Sequence, residues 1–244
     1  MINFTLFLNS RGRLKQLQRF VSICENMTHN HSGTEMIITG DDDDPETVDF
    51  LRTLSDRGTF PFHTIVGPRP RSLCASFNNM VRQARGRYLF VMNDDAEITT
   101  QDWDRIALDH INKYHTDTGF KDDVIYGCTT DISSDKASGK KYAAFPIISK
   151  QAVDALGFFM YEQFVGLGGD SSIYRIYDAV DRVVDMSDII VDHVYHNTLL
   201  KVLTPDRTAH EMRTNTHAHF VDPFSLDISV DVARLKAFIR QKNS

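Results

Sequence analysis

The sequence is poor in features that declare a class outright. Its three cysteines, Cys24, Cys74 and Cys128, are odd in number and too far apart for a CxxC pair. They give no disulfide framework, and a reducing compartment is the simpler expectation. No apolar run approaches the roughly 20 residues of a membrane span. The first apolar stretch, residues 2–8, precedes Arg11 and Arg13, whereas a signal peptide places its basic residues first. A cytoplasmic soluble protein without a transmembrane anchor is expected. A formal net charge of −6 lends no support to nonspecific nucleic-acid binding.

Catalytic signatures are equally scarce. No GxGxxG follows the first apolar stretch, which removes the dinucleotide fingerprint, and there is no phosphate-binding GxxxxGK loop. His210 and Glu211 open a string like HExxH, but Thr214 stands where the second histidine belongs. His29 and His31 lie in a polar turn without acidic company and read as solvated. No serine sits in a nucleophile-elbow context.

What is present is alternation. Residues 2–8, 36–39, 62–66 and 88–92 read as strands, and helical spacing occupies residues 14–23, 73–84 and 103–114. Asp44 before Pro45 suits an N-cap followed by proline in the first turn, with Val48, Phe50, Leu51 and Leu54 continuing a helix. Such order predicts a mostly parallel central sheet with helices on both faces. Beyond about residue 120 the pattern loosens. Strands are predicted at 124–128 and 143–148 around a polar loop or hairpin, then helices at 150–155 and 171–179. A strand at 189–193 and a helix at 230–241 complete one α/β domain spanning residues 1–244. Arg82, Arg85 and Arg87 read as a solvated helix end, and Trp103 as a packing residue.

In an open parallel sheet, ligands bind beyond the carboxyl ends of the strands. Those ends carry Ser10 and Arg11, then Asp41 to Asp43, then Arg69 and Arg71, then Asn93, Asp94 and Asp95. Any one cluster reads as a capping turn. Four together, of both signs, suit a metal-bound phosphate ester, with carboxylates on a divalent cation and arginines on the remaining oxygens. Two adjacent carboxylates after a buried strand then have their missing positive charge.

The stretches LFLNSRGR, MIITGDDDD and SFNNMVRQARGRYLFVMNDDAEI resemble the opening of a GT-A fold glycosyltransferase of the family-2 type. The likeness is close over residues 1–100, the nucleotide-sugar half, and looser to about residue 196 within the acceptor-side half and C-terminal helix, residues 101–244. The resemblance implies a Rossmann-like fold and a metal-dependent transfer of sugar from a UDP- or GDP-sugar to an acceptor hydroxyl, with inversion. Asn93, Asp94 and Asp95 occupy the DxD positions, Asn93 replacing the first aspartate. Asp95 would be the ligand of Mn²⁺ or Mg²⁺, and Asp94 would face the ribose or diphosphate. Ser10, Arg11, Asp41, Arg71 and Asn78 would complete the nucleotide-sugar site, with Asp41 on the base. Phe77 stands where the family carries an arginine before that asparagine.

FFMYEQFVGLGGDSSIYRIYDAV resembles the family's acceptor segment and puts Asp170 at the catalytic-base position, with Glu162 a weaker substitute. Gly169 takes the place of a frequent acidic partner. In IIVDHVYHN, His193 is preferred over His196 as a further metal ligand. The acceptor stays open among saccharide, protein, lipid-linked and modified nucleic-acid chemistries. A sugar-nucleotide nucleotidyltransferase is one alternative, although NSRGRLKQ has a single glycine where such enzymes carry a glycine-rich loop. A noncatalytic binding protein on a decayed transferase fold is another, prompted by Asn93 and Gly169.

Overall fold

Alternate residues of the first strand point to opposite sides of the sheet, and both sides are buried. The computed structural model describes residues 1–132, 142–164, 168–193 and 222–244. Strand β1 (Phe4–Ser10) sends Phe4, Leu6 and Leu8 into one apolar cluster and Phe7 into another. β4 (Tyr88–Val91) does the same, with Phe90 on the first side and Leu89 and Val91 on the second. A strand buried on both faces has no polar alternation to show, which is why residues 88–91 are continuously apolar.

Helices supply the two covers. α1 (Leu14–Met27) turns Leu17, Phe20, Val21 and Cys24 toward the first face. It is joined there by α2 (Pro45–Thr53) and α4 (Trp103–Thr118). Asp44 caps α2 as expected, its carboxylate accepting from the Thr47 amide. The second face is covered by α3 (Leu73–Val81), α5 (Lys150–Leu156), α6 (Gly169–Asp178) and α7 (Ser229–Asn243).

Among the described residues the sheet has eight strands in the order β3-β2-β1-β4-β7-β6-β8-β5. The remaining strands are β2 (Thr34–Asp41), β3 (Phe62–Gly67), β5 (Glu97–Ile98), β6 (Tyr126–Asp131), β7 (Ile147–Ser149) and β8 (Val183–Asp192). β1 pairs in parallel with both β2 and β4, and β3 in parallel with β2. The short β7 runs antiparallel to both β4 and β6, so β6 points the same way as β4. β8 is parallel to β6. One edge of the sheet therefore collects the carboxyl ends of β1, β2, β3, β4, β6 and β8, from both halves of the chain.

Several boundaries differ from the sequence expectation. The strand predicted at 143–148 becomes Ile147–Ser149, the three residues that pair with Tyr88, Leu89 and Phe90. β8 starts six residues before the expected 189, where Val183 to Asp185 meet Tyr126 to Cys128; a register shift then interrupts its alternation. α6 begins at Gly169, behind Gly168 in the left-handed region at φ 96°. The arginines near the start of β4 are engaged rather than merely solvated. Arg85 Nε donates to the buried Glu35 (2.7 Å), and Arg87 Nε to Asp123 (2.5 Å). Glu35 also accepts from Thr5 Oγ1 (2.7 Å) and the Arg85 amide (2.6 Å), tying the entry of β4 to β1 and β2. A Cβ on Gly86 would come within 2.5 Å of Thr5, so that junction accepts only glycine. Trp103 is fully buried against Phe4 and Phe90 and donates to Thr28 Oγ1 at 3.0 Å, a packing residue as read.

Candidate active site

The turn leaving β4 is closed by the Ala96 amide donating to the Asn93 carbonyl (3.1 Å), which puts Asp94 and Asp95 at its two central positions. Both are buried, at 2 % and 4 % exposure. Asp94 Oδ2 accepts from Ser10 Oγ at 2.8 Å. Arg13 faces both carboxylates, with Nη2 2.8 Å from Asp94 Oδ1 and Nη1 2.9 Å from Asp95 Oδ2. The remaining oxygen, Asp95 Oδ1, lies 3.2 Å from His193 Nε2 just beyond β8. The other ring nitrogen, Nδ1, is 3.8 Å from Asp131 Oδ2 at the end of β6.

Burial is the largest influence on Asp94. It outweighs Arg13 and, with the neighbouring charge of Asp95, pushes the carboxyl up to about 7. At His193 burial favours the neutral ring, but hydrogen bonds to Asp131 and Asp95 prevail together and raise it to about 9. An imidazolium cannot ligate a metal, so a cation binding there would release its proton.

A second cluster lies at the end of β2. Arg11 pairs with Asp41 at 3.0 Å and with both oxygens of the exposed Asp43. The Asp43 hydrogen bond to Arg11 holds that carboxyl below its usual range. Burial wins instead at Asp41 and raises it. Gly12 makes the division possible. It adopts φ 62°, and its amide donates to Asp44 Oδ2 at 2.7 Å, so the flanking arginines diverge to different carboxylate pairs.

The remaining predicted residues gather around α3 and the start of α6. Asn78 is mostly buried, and its amide is committed to the segment after α5. Its Oδ1 accepts from the Phe159 and Met160 amides (2.8 and 2.9 Å), while Nδ2 donates to the Met160 carbonyl (2.9 Å) and Glu162 Oε1 (3.3 Å). Asn78, expected at the nucleotide, thus clamps this loop, with its amide oxygen and nitrogen both engaged by the protein. Arg71 pairs with Glu162. Asp170 sits in the first turn of α6 and accepts from the Ser171 amide at 2.8 Å. The Cys74 thiol near the start of α3 is pushed up to about 12 chiefly by burial, with the charges of Asp170 and Glu162 adding to the effect. A Cβ on Gly169 would stand 3.0 Å from Cys74 Sγ and 3.1 Å from Met160 Sδ. That tight packing explains why a second acidic side chain is missing beside Asp170. His196 falls outside the described residues.

Reading strand ends from the sequence missed Arg13 and Asp131. Asp131 was legible by the same rule, but β6 runs three residues past the expected end at 128. Arg13 had no sequence signal beyond its charge.

Among the described residues no three His, Cys, Asp or Glu side chains converge as a ready metal cage. Asp95 Oδ1 and His193 Nε2, an oxygen and a nitrogen 3.2 Å apart, nevertheless fit two positions on one divalent ion. Ions that work on nucleotide phosphates take one or two protein ligands and fill the rest with phosphate oxygens and water. Among the described residues, no helix is long and apolar enough to cross a membrane.

A family model described as Glycosyl transferase family 2 matches residues 8–163. Among solved structures, the mannosyltransferase PcManGT from Pyrobaculum calidifontis, in complex with GDP-Man and Mn²⁺, superposes with a TM-score of 0.61 at 14% identity over 99% of this chain and 76% of that one. TarS 1–349 of S. aureus, in complex with UDP, gives 0.63 at 11% identity over 91% of this chain and 76% of that one. GalNAc-T7 with UDP, GalNAc and Mn²⁺ gives 0.63 at 12% identity over 98% of this chain and 55% of that one. At such identities the likeness speaks for the fold, a mixed α/β GT-A arrangement. No curated protein matches the sequence.

Proposed function

The chain belongs to glycosyl transferase family 2 and is a glycosyltransferase, and from that premise we propose that it is a metal-dependent, inverting enzyme that uses a nucleoside-diphosphate sugar. The observation that carries this reading is the set at the carboxyl edge of the sheet: Asp94 and Asp95 in one turn, with His193 Nε2 3.2 Å from Asp95. Asp95 and His193 would hold Mn²⁺ or Mg²⁺. When bound, the ion neutralises charge on the departing diphosphate, a contribution usually among the largest in such sites.

The rest is assigned to this chain's own side chains. Arg11 and Asp41 receive the nucleoside, where an arginine and a partly buried carboxylate offer a donor and an acceptor to base and ribose. Asp94, held by Ser10, borders the ribose or diphosphate. Asp170 takes the acceptor's hydroxyl proton as that oxygen bonds to the anomeric carbon and the bond to the diphosphate breaks on the opposite side. The donors named in the solved relatives, GDP-Man and UDP-GlcNAc, make guanosine and uridine sugars the first to try.

The test is donor turnover by the purified protein, read as UDP or GDP release with and without Mn²⁺. Metal-stimulated release that falls about a thousandfold in Asp95→Ala supports the proposal. Release that ignores both chelator and this substitution overturns its metal part. NMR of the first-formed product reports the anomeric configuration, and retention would overturn the assignment of Asp170 as base.

A further inference from the structure

Arg13 stands where two adjacent carboxylates most need a cation. Its fork spans both carboxylates, at 2.8 Å from Asp94 and 2.9 Å from Asp95, while its own side chain keeps 25% of its surface exposed. The carboxylates it faces are nearly shut off from water, at 0% and 6% side-chain exposure. Asp95 is therefore divided, with Oδ1 toward His193 and Oδ2 toward Arg13. Arg13 is also the residue before α1, yet its side chain makes no capping bond to that helix. It is presented by the Gly12 turn, which ties to Asp44 rather than to the Arg13 side chain. An arginine that only braced the fold would have little reason to reach from a glycine turn to the edge where ligands arrive.

We infer that Arg13 is a resident counter-ion that competes with a divalent cation for Asp95 and yields its place when a nucleoside diphosphate arrives. This rests on the metal-dependent reading above. A divalent ion on Asp95 would stand beside the guanidinium, and two cations sharing one buried carboxylate repel strongly. The incoming diphosphate offers that guanidinium an alternative partner, since arginine forks pair well with phosphate oxygens. Metal and donor are then linked beyond their direct coordination: each makes room for the other, and the linkage is reciprocal. The consequence is a site that binds metal weakly by itself and tightly with its donor.

The experiment is a Mn²⁺ titration of the full chain, followed by the EPR signal of the free ion, without nucleotide and then with UDP or GDP after correction for Mn²⁺–nucleotide complexes. In Arg13→Gln, Mn²⁺ alone should bind about tenfold more tightly than in the wild type, and the enhancement by diphosphate should shrink by the same factor. Arg13→Lys, which keeps the charge without the fork, should fall between them and serves if the glutamine variant does not fold. Equal or weaker Mn²⁺ binding by a folded Arg13→Gln overturns the inference. Asp95→Asn separates the two levels. If it binds Mn²⁺ with nucleotide as well as the wild type, the metal assignment fails and this inference with it. If only Asp95→Asn changes, Arg13 alone has been misread.

Discussion

Arg11 and Arg13 leave one turn in opposite directions, and the carboxylates they meet respond in opposite ways. At the rim, Asp43 is solvated, so its hydrogen bond to Arg11 decides the outcome and its pKa falls. Inside, Asp94 Oδ1 lies 2.8 Å from the Arg13 guanidinium without a hydrogen bond to it, burial decides, and the carboxyl rises to about 7. The same pair of residue types thus gives a lowered carboxyl at one end of the turn and a raised one at the other. Attraction between two charges depends on water as much as on distance, and desolvation of the ion can exceed the gain from its partner.

The largest break in this comparison is expected from Asp95→Ala set against Asp43→Ala. The first should lower turnover about a thousandfold, whereas the second should leave kcat within about twofold, because rim ion pairs contribute little. Steady-state kinetics with the donor identified by product release would decide it. Arg11→Gln should come next, raising the KM for donor about fivefold with little change in kcat, the pattern of an interaction made equally in ground and transition states. A drop in kcat without a change in KM would instead move Arg11 into the chemistry.

The pH dependence of stability sharpens the contrast. For Asp94 the native carboxyl is raised from 3.8 to about 7, so between those values the native state keeps a proton that the unfolded chain has lost. Stability from this group is therefore full at low pH and declines as pH rises from about 4 to about 7. Asp94→Asn should gain on the wild type across that window, read as the difference between denaturation midpoints at each pH. Asp43 has the opposite sign. Its native pKa is lowered, so its contribution is present above the unfolded value and disappears as pH falls below it. The smallest effect is expected from Gly12→Ala, which places a side chain at φ 62° and should cost about 1 kcal/mol in urea denaturation. Weaker donor binding would accompany it if the turn aims both arginines.

Much of the fold was legible because it is locally determined. The Asp44–Pro45 cap, the helical spacing of residues 14–23 and the doubly buried residues 88–91 each carry their own local pattern. The antiparallel β7 was not legible, since its direction depends on pairing with strands far away in sequence. The site divides in the same way. Strand ends pointed to Asp41, Asp94 and Asp95 because the rule needs only the end of a strand. The loop clamp made by Asn78 was not legible because its partners lie 81 and 82 residues away, on a loop whose approach no helical pattern announces. Arg13 escaped because the turn that aims it depends on one glycine's dihedral angle.

The return of β8 to the same edge has a consequence in time. Asp95 and His193 are 98 residues apart, and at ribosomal rates of roughly 5–20 residues per second about five to twenty seconds separate their synthesis. During that interval β1 and β4 have been made, and a turn holding two neighbouring carboxylates awaits a partner from a strand not yet translated. Ser10 and Arg13 precede that turn in the chain. A nascent domain can thus balance its most repulsive turn with groups it already owns, long before the histidine that completes the edge has left the ribosome.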